Sequence, residues 1–581
     1  MATTEFFQSD AQINVADRLT PFAENLSETI AVACPGHGDV AGRNSYATCT
    51  FAELDRDATA LARGLVDLGV TPGTRLVLLV KPGVEFVKLV FALLRSGATT
   101  ILVDPGMGKK HLLDCLAAAE PAGFVAISAA QAVRTIVKRR FPRAKLNVTV
   151  GRRWFWGGTT YVQLLAAGRK SMTPLPASRA ADPAAIIFTS GSTGPPKGVM
   201  YTHQMFDSQV AEICRKYDLQ PGGADLSCFA LFGLFNSAMG ITTVFPQMDF
   251  SRPAKADPQK LLSAAYDWQV TQAFASPAVW DKLSHYCQQQ GEQIPTLRKI
   301  FSCGAPVPAE VLQRTLACVD AHAEMHTPYG ATESLPVSTI DASEVLSETA
   351  ERTVHGAGVC VGRKFDSIEW RIIRITDEPI ATISDAEELP VGEIGELIVR
   401  GPQVSLEYVV AGDAGQGTTN KVAQYNSLAK ISDPGGVWHR MGDVGYFDEQ
   451  ERFWYCGRKN HRIETTQGTL FSIPCEEIFN THSKVSRSAL VGIGPRGKQV
   501  PVAIFELLPA VENKEAMWIN VREEVKTVEL AKCTHQTITI ENFLHYPGQL
   551  PVDVRHNSKI NREELAKWAA TQLGSVASRN R

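Results

Sequence analysis

The sequence predicts an α/β protein with a large N-terminal domain and a smaller α+β C-terminal domain. Apolar runs of strand length alternate with amphipathic helical segments through the N-terminal part. After Val391 the segments become short and glycine-bounded, which is typical of antiparallel strands. The 581 residues also exceed the roughly 250–300 at which a single hydrophobic core stops growing, so we expect more than one domain.

The first strand and helix units illustrate the pattern. In "TFAELDRDATALARGLVDLG", Thr50 and Glu53 have the spacing of a helix capping box, and Gly69 follows the last periodic residue. The apolar run from Arg75 to Val80 suits a buried parallel strand. A second helical segment and the strand "TTILV" follow it. This β-α-β order predicts a parallel sheet with helices on its faces.

A change of character near Lys459–His461 predicts the domain boundary, which gives domains of residues 1–459 and 460–581. The C-terminal unit is expected to hold a helix near Pro474–Asn480, strands at Ala489–Ile493 and Ala503–Leu507, and a final helix from Asn561.

Composition excludes several classes of function. The formal net charge is -3, so no general attraction to nucleic acid is expected. The twelve cysteines show neither a CxxC pair nor zinc spacing, which is typical of reduced thiols in a cytoplasmic protein. The first residues lack the apolar run of a signal peptide. The longest apolar-rich stretch, Leu231 to Phe245, is too short and interrupted for a transmembrane segment.

The segment from Ala185 to His203, "AIIFTSGSTGPPKGVMYTH", carries the strongest chemical signal. It is not a Walker-type loop, because Pro196 replaces the second glycine of that motif and Gly198 replaces its magnesium-binding hydroxyl. Hydroxyl donors and glycine backbone amides nevertheless suit an anion, and Lys197 follows them. A solvated turn is the alternative. The predicted phosphate-binding residues are Thr189, Ser190, Gly191, Ser192, Thr193 and Gly194.

The string "FTSGSTGPPKGV" closely resembles the phosphate loop of the acyl-adenylate-forming superfamily. This superfamily includes acyl-CoA synthetases, firefly luciferase and peptide-synthetase adenylation domains. Its other landmarks follow in order, as "CGAP", "YGATES", "GEIGELIVRGP", "MGDVGYFDEQERFWYCGRKN" and "NSKINREEL". The resemblance implies an N-terminal adenylate-forming domain of parallel-sheet αβαβα subdomains plus a small β-barrel, and a small mobile C-terminal domain. It also implies ATP and Mg²⁺.

The resemblance further implies a role for each matched residue. Thr332 would bond the α-phosphate, Glu333 would hold Mg²⁺, and Asp443 would accept both ribose hydroxyls, with Arg458 beside it. The adenine pocket would comprise Gly304, Ala305, Pro306, Gly330 and a stacking Tyr329. Lys197 and Lys559 complete the catalytic set, and Lys559 would bridge the carboxylate and the α-phosphate. Ser558 stands where relatives usually carry glycine.

Adenylation does not fix the second step. Acyl-CoA synthetases usually carry a histidine after the phosphate loop, but this sequence has none between His203 and His285. The run Phe229, Leu231, Phe232, Leu234 and Phe235 fits either an apolar acyl channel or ordinary core packing. His203 is a candidate base for a hydroxyl group, with a structural role as the alternative.

The strings "VDPGMG", "FALFGLFN", "RPAKADPQ" and "LPVDVRHNSKI" resemble the branch of the superfamily that forms β-lactones in bacterial olefin biosynthesis. This implies adenylation of a long-chain 2-alkyl-3-hydroxy acid, followed by attack of its own 3-hydroxyl group to give a β-lactone, AMP and pyrophosphate. Other enzymes of the olefin pathway would be the partners. The alternatives are a long-chain fatty-acid–CoA ligase and a catalytically silent regulator that binds nucleotide or acyl chains.

Overall fold

The computed structural model describes residues 10–36, 45–103, 107–188, 197–409, 416–509, 514–527, 538–552 and 560–579. The α-helices in these ranges are α1 (Thr20–Asn25), α2 (Phe51–Asp67), α3 (Val84–Arg95), α4 (Lys109–Ala118), α5 (Ser128–Ile136), α6 (Tyr161–Gly168), α7 (His203–Tyr217), α8 (Phe232–Ala238), α9 (Pro258–Asp267), α10 (Pro277–Gln290), α11 (Ala309–Leu316), α12 (Ala342–Glu344), α13 (Ala350–Arg352), α14 (Gln416–Ala429), α15 (Ser472–Asn480), α16 (Lys514–Thr527) and α17 (Arg562–Arg579). The predicted capping box of Thr50 and Glu53 opens α2, and Gly69 follows the helix in the left-handed region with φ of +104°.

The first sheet has the order β20-β9-β8-β4-β3-β5-β6-β7. Its strands are β3 (Arg75–Leu79), β4 (Thr99–Val103), β5 (Gly123–Ile127), β6 (Leu146–Val150), β7 (Thr159–Thr160), β8 (Pro183–Phe188), β9 (Gly198–Thr202) and β20 (Tyr408–Val409). The pairs from β8 through β7 are parallel, whereas β9 returns antiparallel to β8. The segment that carries the predicted phosphate loop therefore joins two adjacent strands.

The second sheet has the order β17-β15-β14-β13-β12-β10-β11-β1-β2. Its strands are β1 (Ile30–Pro35), β2 (Tyr46–Thr50), β10 (Ala224–Ser227), β11 (Thr242–Val244), β12 (Gln272–Ala275), β13 (Lys299–Ser302), β14 (Glu324–Ala331), β15 (Ser334–Asp341) and β17 (Arg363–Lys364). In this order, each neighbouring pair between β14 and β1 is parallel. The pairs at the two edges of the sheet, β1–β2 on one side and β14–β15 and β15–β17 on the other, are antiparallel.

A shared layer of helices separates these two sheets. One hydrophobic cluster joins α2, α3, α7 and α8 to both of them. Helix α3 is apolar almost all round, and nine of its residues from Phe86 to Arg95 are buried, as expected for a helix covered on both sides. Helices α4 and α5 cover the outer face of the first sheet, and α9, α10 and α11 cover that of the second. The predicted αβαβα arrangement is therefore confirmed.

A third, antiparallel sheet follows. Its order is β16-β23-β22-β19-β18, with β21 paired to β22. The strands are β16 (Val359–Cys360), β18 (Glu369–Ile373), β19 (Gly395–Arg400), β21 (Lys430–Asp433), β22 (Gly436–Phe447) and β23 (Phe453–Arg458). It corresponds to the region after Val391 in which antiparallel strands are predicted, and it extends back to β16.

The C-terminal strands are β24 (Ile463–Thr465), β25 (Gly468–Leu470), β26 (Val485–Ile493), β27 (Val500–Leu507) and β28 (Asn542–His545). Two hydrophobic clusters, on either side of the β26-β27-β28 sheet, consist only of residues from Ile463 onward. Phe471, in contrast, packs with Val444 and Trp454 of the antiparallel sheet. The α/β class with a C-terminal α+β unit is confirmed, and the boundary near residue 459 stays a prediction.

Candidate active site

The predicted adenine-binding turn lies where strand β13 ends. Parallel strands β12, β13 and β14 end at one edge of the second sheet, which is where open α/β sheets bind ligands. Gly304 follows β13 with φ of +96°, a left-handed conformation that strains any residue with a side chain. Ala305 and Pro306 continue the turn toward α11. The "CGAP" string is thus a strand-to-helix turn at the ligand edge.

The "YGATES" string forms a tight hairpin between β14 and β15. Ala331 pairs with Ser334, which leaves Thr332 and Glu333 as the two residues of the tip. A Cβ atom at Gly330 would lie 2.6 Å from the carbonyl oxygen of Ser334, so a side chain there would force the strands apart. The sequence therefore presents the predicted phosphate-binding hydroxyl and the predicted metal-binding carboxylate side by side.

The edge of the first sheet holds this hairpin tip. The Tyr201 hydroxyl donates a hydrogen bond to the Thr332 carbonyl oxygen at 2.5 Å, and the Tyr408 hydroxyl donates to Glu333 Oε1 at 2.6 Å. The backbone N–H of Ser405 donates to the Glu333 carbonyl oxygen at 2.8 Å. Sequence reasoning missed both tyrosines, because nothing local marks a strand residue whose partner lies 131 or 75 positions away.

Two lysines lie beside the Tyr408 ring. Lys197 Nζ is 5.7 Å from its centre and 3.9 Å from the centre of the Tyr425 ring. Burial lowers the pKa of Lys197, and the Glu333 charge opposes that shift. Lys430 Nζ lies 5.4 Å from the Tyr408 ring centre. Lys197 and Lys430 therefore both lie beside the ring of Tyr408.

Lys430 is the more deeply buried of the two, and the sequence does not single it out. Its ammonium group donates to the carbonyl oxygen of Ser405, next to the residues that hold the hairpin tip. Burial lowers the pKa of Lys430 to about 7, against the raising effect of Glu333 and Glu407. Strand β21 thus places beside Glu333 an amino group whose charge changes with pH near neutrality.

Asp443 and Arg458 form an ion pair that the strand register dictates. They face each other across the antiparallel β22–β23 pair, and Arg458 Nη1 lies 2.9 Å from Asp443 Oδ1. The side chain of Asp443 is 4% exposed and that of Arg458 is 43% exposed. The Asp443 carboxylate raises the pKa of Arg458. The structure therefore brings two of the predicted site residues together.

Tyr329 joins this pair from the other sheet. Its hydroxyl donates to Asp443 Oδ2, and its ring lies 5.9 Å from that of Phe453. Burial, followed by the charge of Asp443, raises the pKa of the Tyr329 phenol. The predicted adenine-stacking residue and the predicted ribose acceptor are thus in direct contact.

Other predicted residues lie outside the described part of the chain. They are Thr189, Ser190, Gly191, Ser192, Thr193, Gly194 and Lys559. Their flanks are described, because Phe188 ends β8, Lys197 precedes β9, and Val552 pairs with Ile560 in an antiparallel bridge. Their roles stay predictions.

The start of α17, three residues after Lys559, is bonded to α15, and α15 packs against β23, the strand that ends at Arg458. Arg562 Nη2 donates to Glu476 Oε2 at 2.5 Å. The charges of Asp443, Arg458 and Arg562 all act on the buried Tyr455 phenol, whose pKa is raised chiefly by burial. The C-terminal unit therefore contributes a cation close to the predicted nucleotide site.

His203 has a structural partner. Its Nδ1 accepts a hydrogen bond from the Val15 backbone N–H at 3.4 Å, and burial lowers its pKa to about 4. This geometry favours the structural alternative over a role as the base.

The donor set fits Mg²⁺ bound together with phosphates. The described residues contain no group of three or more His, Cys, Asp and Glu side chains that could hold a metal ion. Mg²⁺ needs none, since it commonly binds through one or two carboxylates together with substrate phosphates and water. Glu333, on a hairpin tip beside the lysines, supplies such a carboxylate. Over the described chain, every helix is too short or too polar to cross a membrane.

Comparisons with known proteins agree with this geometry. The model of the family described as AMP-binding enzyme matches residues 22–409. The chain is 43% identical over 563 residues to the olefin beta-lactone synthetase of Xanthomonas campestris pv. campestris, with 96% of this chain and 98% of that protein covered. The olefin beta-lactone synthetase of Stenotrophomonas maltophilia is also 43% identical, over 562 residues and the same shares.

Among solved structures, the amide bond synthetase of Marinactinospora thermotolerans superposes with a TM-score of 0.73. The two chains are 20% identical, and the match covers 95% of this chain and 99% of that one, which shows a common fold. The match to the family model spans both large sheets and the hairpin tip, and the superfamily resemblance of the sequence is confirmed. This chain belongs to the AMP-binding enzyme family.

Proposed function

We propose that this protein is an AMP-forming ligase that converts a long-chain 2-alkyl-3-hydroxy acid into a β-lactone. The observation that carries this proposal is 43% identity over 96% of the chain to proteins named olefin beta-lactone synthetase. The geometry supports the adenylating half of the reaction, because carboxylate, hydroxyl and cationic groups converge at one edge of the second sheet.

The nucleotide would be held by the turn after β13 and by the Asp443–Arg458 pair. Asp443 has two carboxylate oxygens, which suit two adjacent ribose hydroxyl groups. Arg458 is half exposed, so its remaining donors can reach a ribose or phosphate oxygen. The Tyr329 ring would stack on adenine while its hydroxyl keeps the carboxylate oriented.

The triphosphate would lie along residues 189–194 with Thr332 and Lys197 beside it. Glu333 would hold Mg²⁺, which neutralises phosphate charge when it is bound. Tyr408 donates to one oxygen of Glu333 and so fixes the rotamer of that carboxylate. Lys197 and Lys430 add positive potential on the same side.

In the first step an oxygen of the substrate carboxylate would attack the α-phosphorus atom. A new P–O bond forms and pyrophosphate leaves with the electron pair of the broken anhydride bond. Two anions must approach each other, and the Lys559 ammonium would sit between them. Arg562 and the Val552–Ile560 bridge bound the segment that carries this lysine.

In the second step the 3-hydroxyl oxygen would attack the acyl carbon of the adenylate. A new C–O bond closes the four-membered ring, the bond between the acyl carbon and the phosphate oxygen breaks, AMP leaves with that electron pair, and the hydroxyl proton is released to water. The nucleophile belongs to the same molecule, so well-aligned attack can reach effective molarities of about 10⁵–10⁸ M. CoA is not needed. The acid itself would come from a reaction that joins two acyl chains and reduces the resulting ketone.

The deciding experiment gives the protein ATP, Mg²⁺ and either a 2-alkyl-3-hydroxy acid or the matching plain fatty acid, with and without CoA. We expect AMP, pyrophosphate and a product of substrate mass minus one water, from the hydroxy acid alone and without CoA. Mass spectrometry identifies the product. An acyl-CoA product from the plain acid, with no lactone from the hydroxy acid, would replace the proposal with the CoA-ligase alternative.

The role of Lys559 has its own test. Lys559→Ala should abolish carboxylate-dependent exchange between ATP and pyrophosphate while ATP still binds. Lys567→Ala is the matched control, because that lysine is exposed on α17 of the same unit. Exchange that survives Lys559→Ala at the wild-type rate would remove this lysine from the mechanism.

A further inference from the structure

The positive charge of this chain is concentrated in one segment. Residues 121–181 hold eleven of the 58 lysines and arginines and none of the 61 aspartates and glutamates. The chain as a whole carries a formal net charge of -3, so this segment is a basic region on an acidic protein. It comprises β5, β6 and β7 at one edge of the first sheet, with α5 and α6. A surface of this kind attracts anions.

The loop between β6 and β7 places exposed aromatic side chains beside two arginines. It reads "GRRWFWGG" from Gly151 to Gly158. Trp154 is 64% exposed and Phe155 is 75% exposed. Arg152 and Arg153 precede them and are also exposed. Two adjacent exposed aromatic residues form an apolar patch, and such patches mark interaction sites.

A buried tryptophan supports these two rings. Trp156 is 5% exposed, and its indole N–H donates to Thr149 Oγ1 on β6 at 3.0 Å. Its ring is stacked 6.2 Å from that of Trp154 and lies edge-on 5.2 Å from that of Phe155. The exposed rings therefore rest on a side chain that is anchored in the sheet, which holds them at the surface.

Helix α5 extends the apolar patch. The Ser128 hydroxyl at its start donates to the Arg152 carbonyl oxygen at 2.6 Å and so joins the helix to the loop. Val133 is 47% exposed and Ile136 is 81% exposed. An α-helix rises 1.5 Å per residue, so they lie about 7 and 12 Å along α5 from Ser128. The patch thus contains aliphatic as well as aromatic side chains.

The cations nearest to these apolar side chains keep their charge available. Arg140 and Arg143 pair with Asp114 and Glu120. Within the described ranges, four other cations of the segment form no ion pair: Lys138, Arg139, Arg152 and Arg153. They follow α5 or lie in the loop, so both parts of the patch have positive charge beside them.

We propose that this surface, formed by loop residues 152–155 and the exposed residues of α5 and the turn after it, docks on a membrane that contains anionic lipids. We call it the basic–aromatic face. Aromatic side chains insert at the level of the lipid headgroups, and neighbouring cations bind the negative surface of the membrane. The inference goes beyond the proposed function and does not depend on it.

The mixture of side chains favours a membrane over a nucleic acid. Single-stranded nucleic acids stack their bases on aromatic rings, and aliphatic side chains offer no such platform. Val133 and Ile136 would gain nothing from a base but can enter the boundary between headgroups and acyl chains. Charge complementarity supplies the other half of the argument, because unpaired cations border an apolar patch only where residues 121–181 lack every acidic residue.

The test is flotation of the full chain with lipid vesicles in a density gradient. One set of vesicles contains phosphatidylcholine alone, and the other contains equal parts of phosphatidylcholine and phosphatidylglycerol. We expect the wild type to float with the mixed vesicles, to bind the neutral ones weakly, and to be released as salt is raised. No nucleotide or acid substrate is present, so the outcome is independent of the proposed function.

Two double variants separate the apolar and the charged contributions. Trp154→Ser with Phe155→Ser removes the exposed rings, and Arg152→Gln with Arg153→Gln removes two charges. All four side chains are exposed, so both variants should fold. Each should lose roughly tenfold or more in the partition coefficient for mixed vesicles, since one Lys or Arg near an anionic membrane contributes about fivefold.

The matched controls make the same changes on other surfaces. Val391→Ser with Ile519→Ser removes two exposed apolar side chains, which are 61% and 65% exposed. Lys260→Gln with Lys498→Gln removes two exposed cations outside the basic segment. Both controls should float like the wild type.

Trp154 also reports the contact directly. Of the nine tryptophans it is the one whose side chain is exposed in the described structure. Vesicles with brominated acyl chains quench an indole that reaches them, so they should quench part of the wild-type fluorescence. Trp154→Phe keeps an apolar ring at the position, and we expect it to bind the vesicles without this quenching.

Three results would overturn the proposal. The first is wild-type protein that does not float with mixed vesicles, and the second is either double variant floating as well as the wild type. The third is quenching that persists in Trp154→Phe. Binding of a single-stranded RNA in place of vesicles would assign the face to nucleic acid, and loop-dependent dimerisation in place of vesicle binding would assign it to a second copy of this chain.

Discussion

Two buried aspartates in different sheets show what determines whether a buried carboxyl group carries a charge. Asp443 of the antiparallel sheet is 3% exposed and Asp225 of the second sheet is 1% exposed. Asp443 has an arginine 2.9 Å away, whereas the side chains that bond Asp225 are neutral: Ser227, Asn236 and Gln272. Burial is the same, so the difference between the two sites lies in the partner.

The consequence appears in the charges. Burial raises the pKa of Asp225 to about 6, although all three hydrogen bonds lower it. At Asp443 the positive charge of Arg458 offsets the cost of burying the carboxylate, and the carboxylate in turn raises the pKa of Arg458. A neutral donor compensates part of the desolvation of a carboxylate, and a cation compensates more. This contrast separates Asp443, the predicted ribose-binding carboxylate with a cationic partner, from Asp225, a buried carboxyl group whose partners are neutral.

The largest expected effect comes from removing the cation. Arg458→Met leaves the Asp443 carboxylate buried without its ion-pair partner, which typically costs about 3–5 kcal/mol at a fully buried pair. Because the Arg458 side chain is 43% exposed, water screens the pair, and we expect about 2–4 kcal/mol. Urea unfolding followed by tryptophan fluorescence measures the loss, since Trp438 and Trp454 are buried in the same sheet.

The double variant Arg458→Met, Asp443→Asn sharpens this result. It removes the uncompensated charge as well, so much of the lost stability should return while nucleotide binding stays weak. A double variant that is as unstable as Arg458→Met alone would mean that arginine packing, not charge pairing, supports this site.

The second effect concerns Asp225 and pH. The folded pKa of about 6 lies above the ordinary 3.8, so the folded state holds a proton that the unfolded state has released between these values. Stability from this group is therefore present below about pH 4 and is lost as the pH rises through 6. Asp225→Asn should abolish this loss, which is about 3 kcal/mol for a shift of this size.

The measurement is the difference in unfolding free energy between wild type and Asp225→Asn, taken at pH 4, 5, 6 and 7. We expect the variant to gain on the wild type across this window. Asp218→Asn is the control, because Asp218 is exposed and has a left-handed φ of +48°, which asparagine tolerates. Parallel curves for wild type and Asp225→Asn would show that Asp225 is ionised in the folded protein.

The sequence predicted those parts of the site that depend on contacts between residues close together in the chain. The Asp443–Arg458 pair joins neighbouring strands of one hairpin, and Thr332 and Glu333 form the tip of another. Turn-forming glycines at fixed spacing mark such elements in the sequence. Gly330 is required because a Cβ atom there would clash with the carbonyl oxygen of Ser334, four residues along the chain. The α/β layers follow in the same way from local alternation of strands and helices.

The remainder depends on contacts that no local pattern encodes. Three residues look like ordinary strand residues in the sequence: Tyr201, Tyr408 and Lys430. Their contacts around the hairpin tip form only when different sheets come together in the fold. Asp225 acquires a partner 47 positions away, in a different strand. Cavities are also invisible in sequence, because an apolar run gives the same pattern whether its side chains fill space or leave a gap. Packing between distant elements decides that outcome.

The smallest expected effect tests how Asp443 uses its second oxygen. Tyr329→Phe removes the hydroxyl that donates to Oδ2 and keeps the ring, so we expect about 1–2 kcal/mol of lost stability. Tyr446→Phe is the control. Tyr446 lies on β22 with Asp443, but its hydroxyl donates elsewhere, to the Ala357 carbonyl oxygen at 3.1 Å. Combined with Arg458→Met, Tyr329→Phe should be non-additive by more than about 0.5 kcal/mol, since both partners bind one carboxylate, and Tyr446→Phe should be additive. Additivity in both cycles would mean that the two oxygens of Asp443 act independently, and the ion pair alone would then account for its charged state.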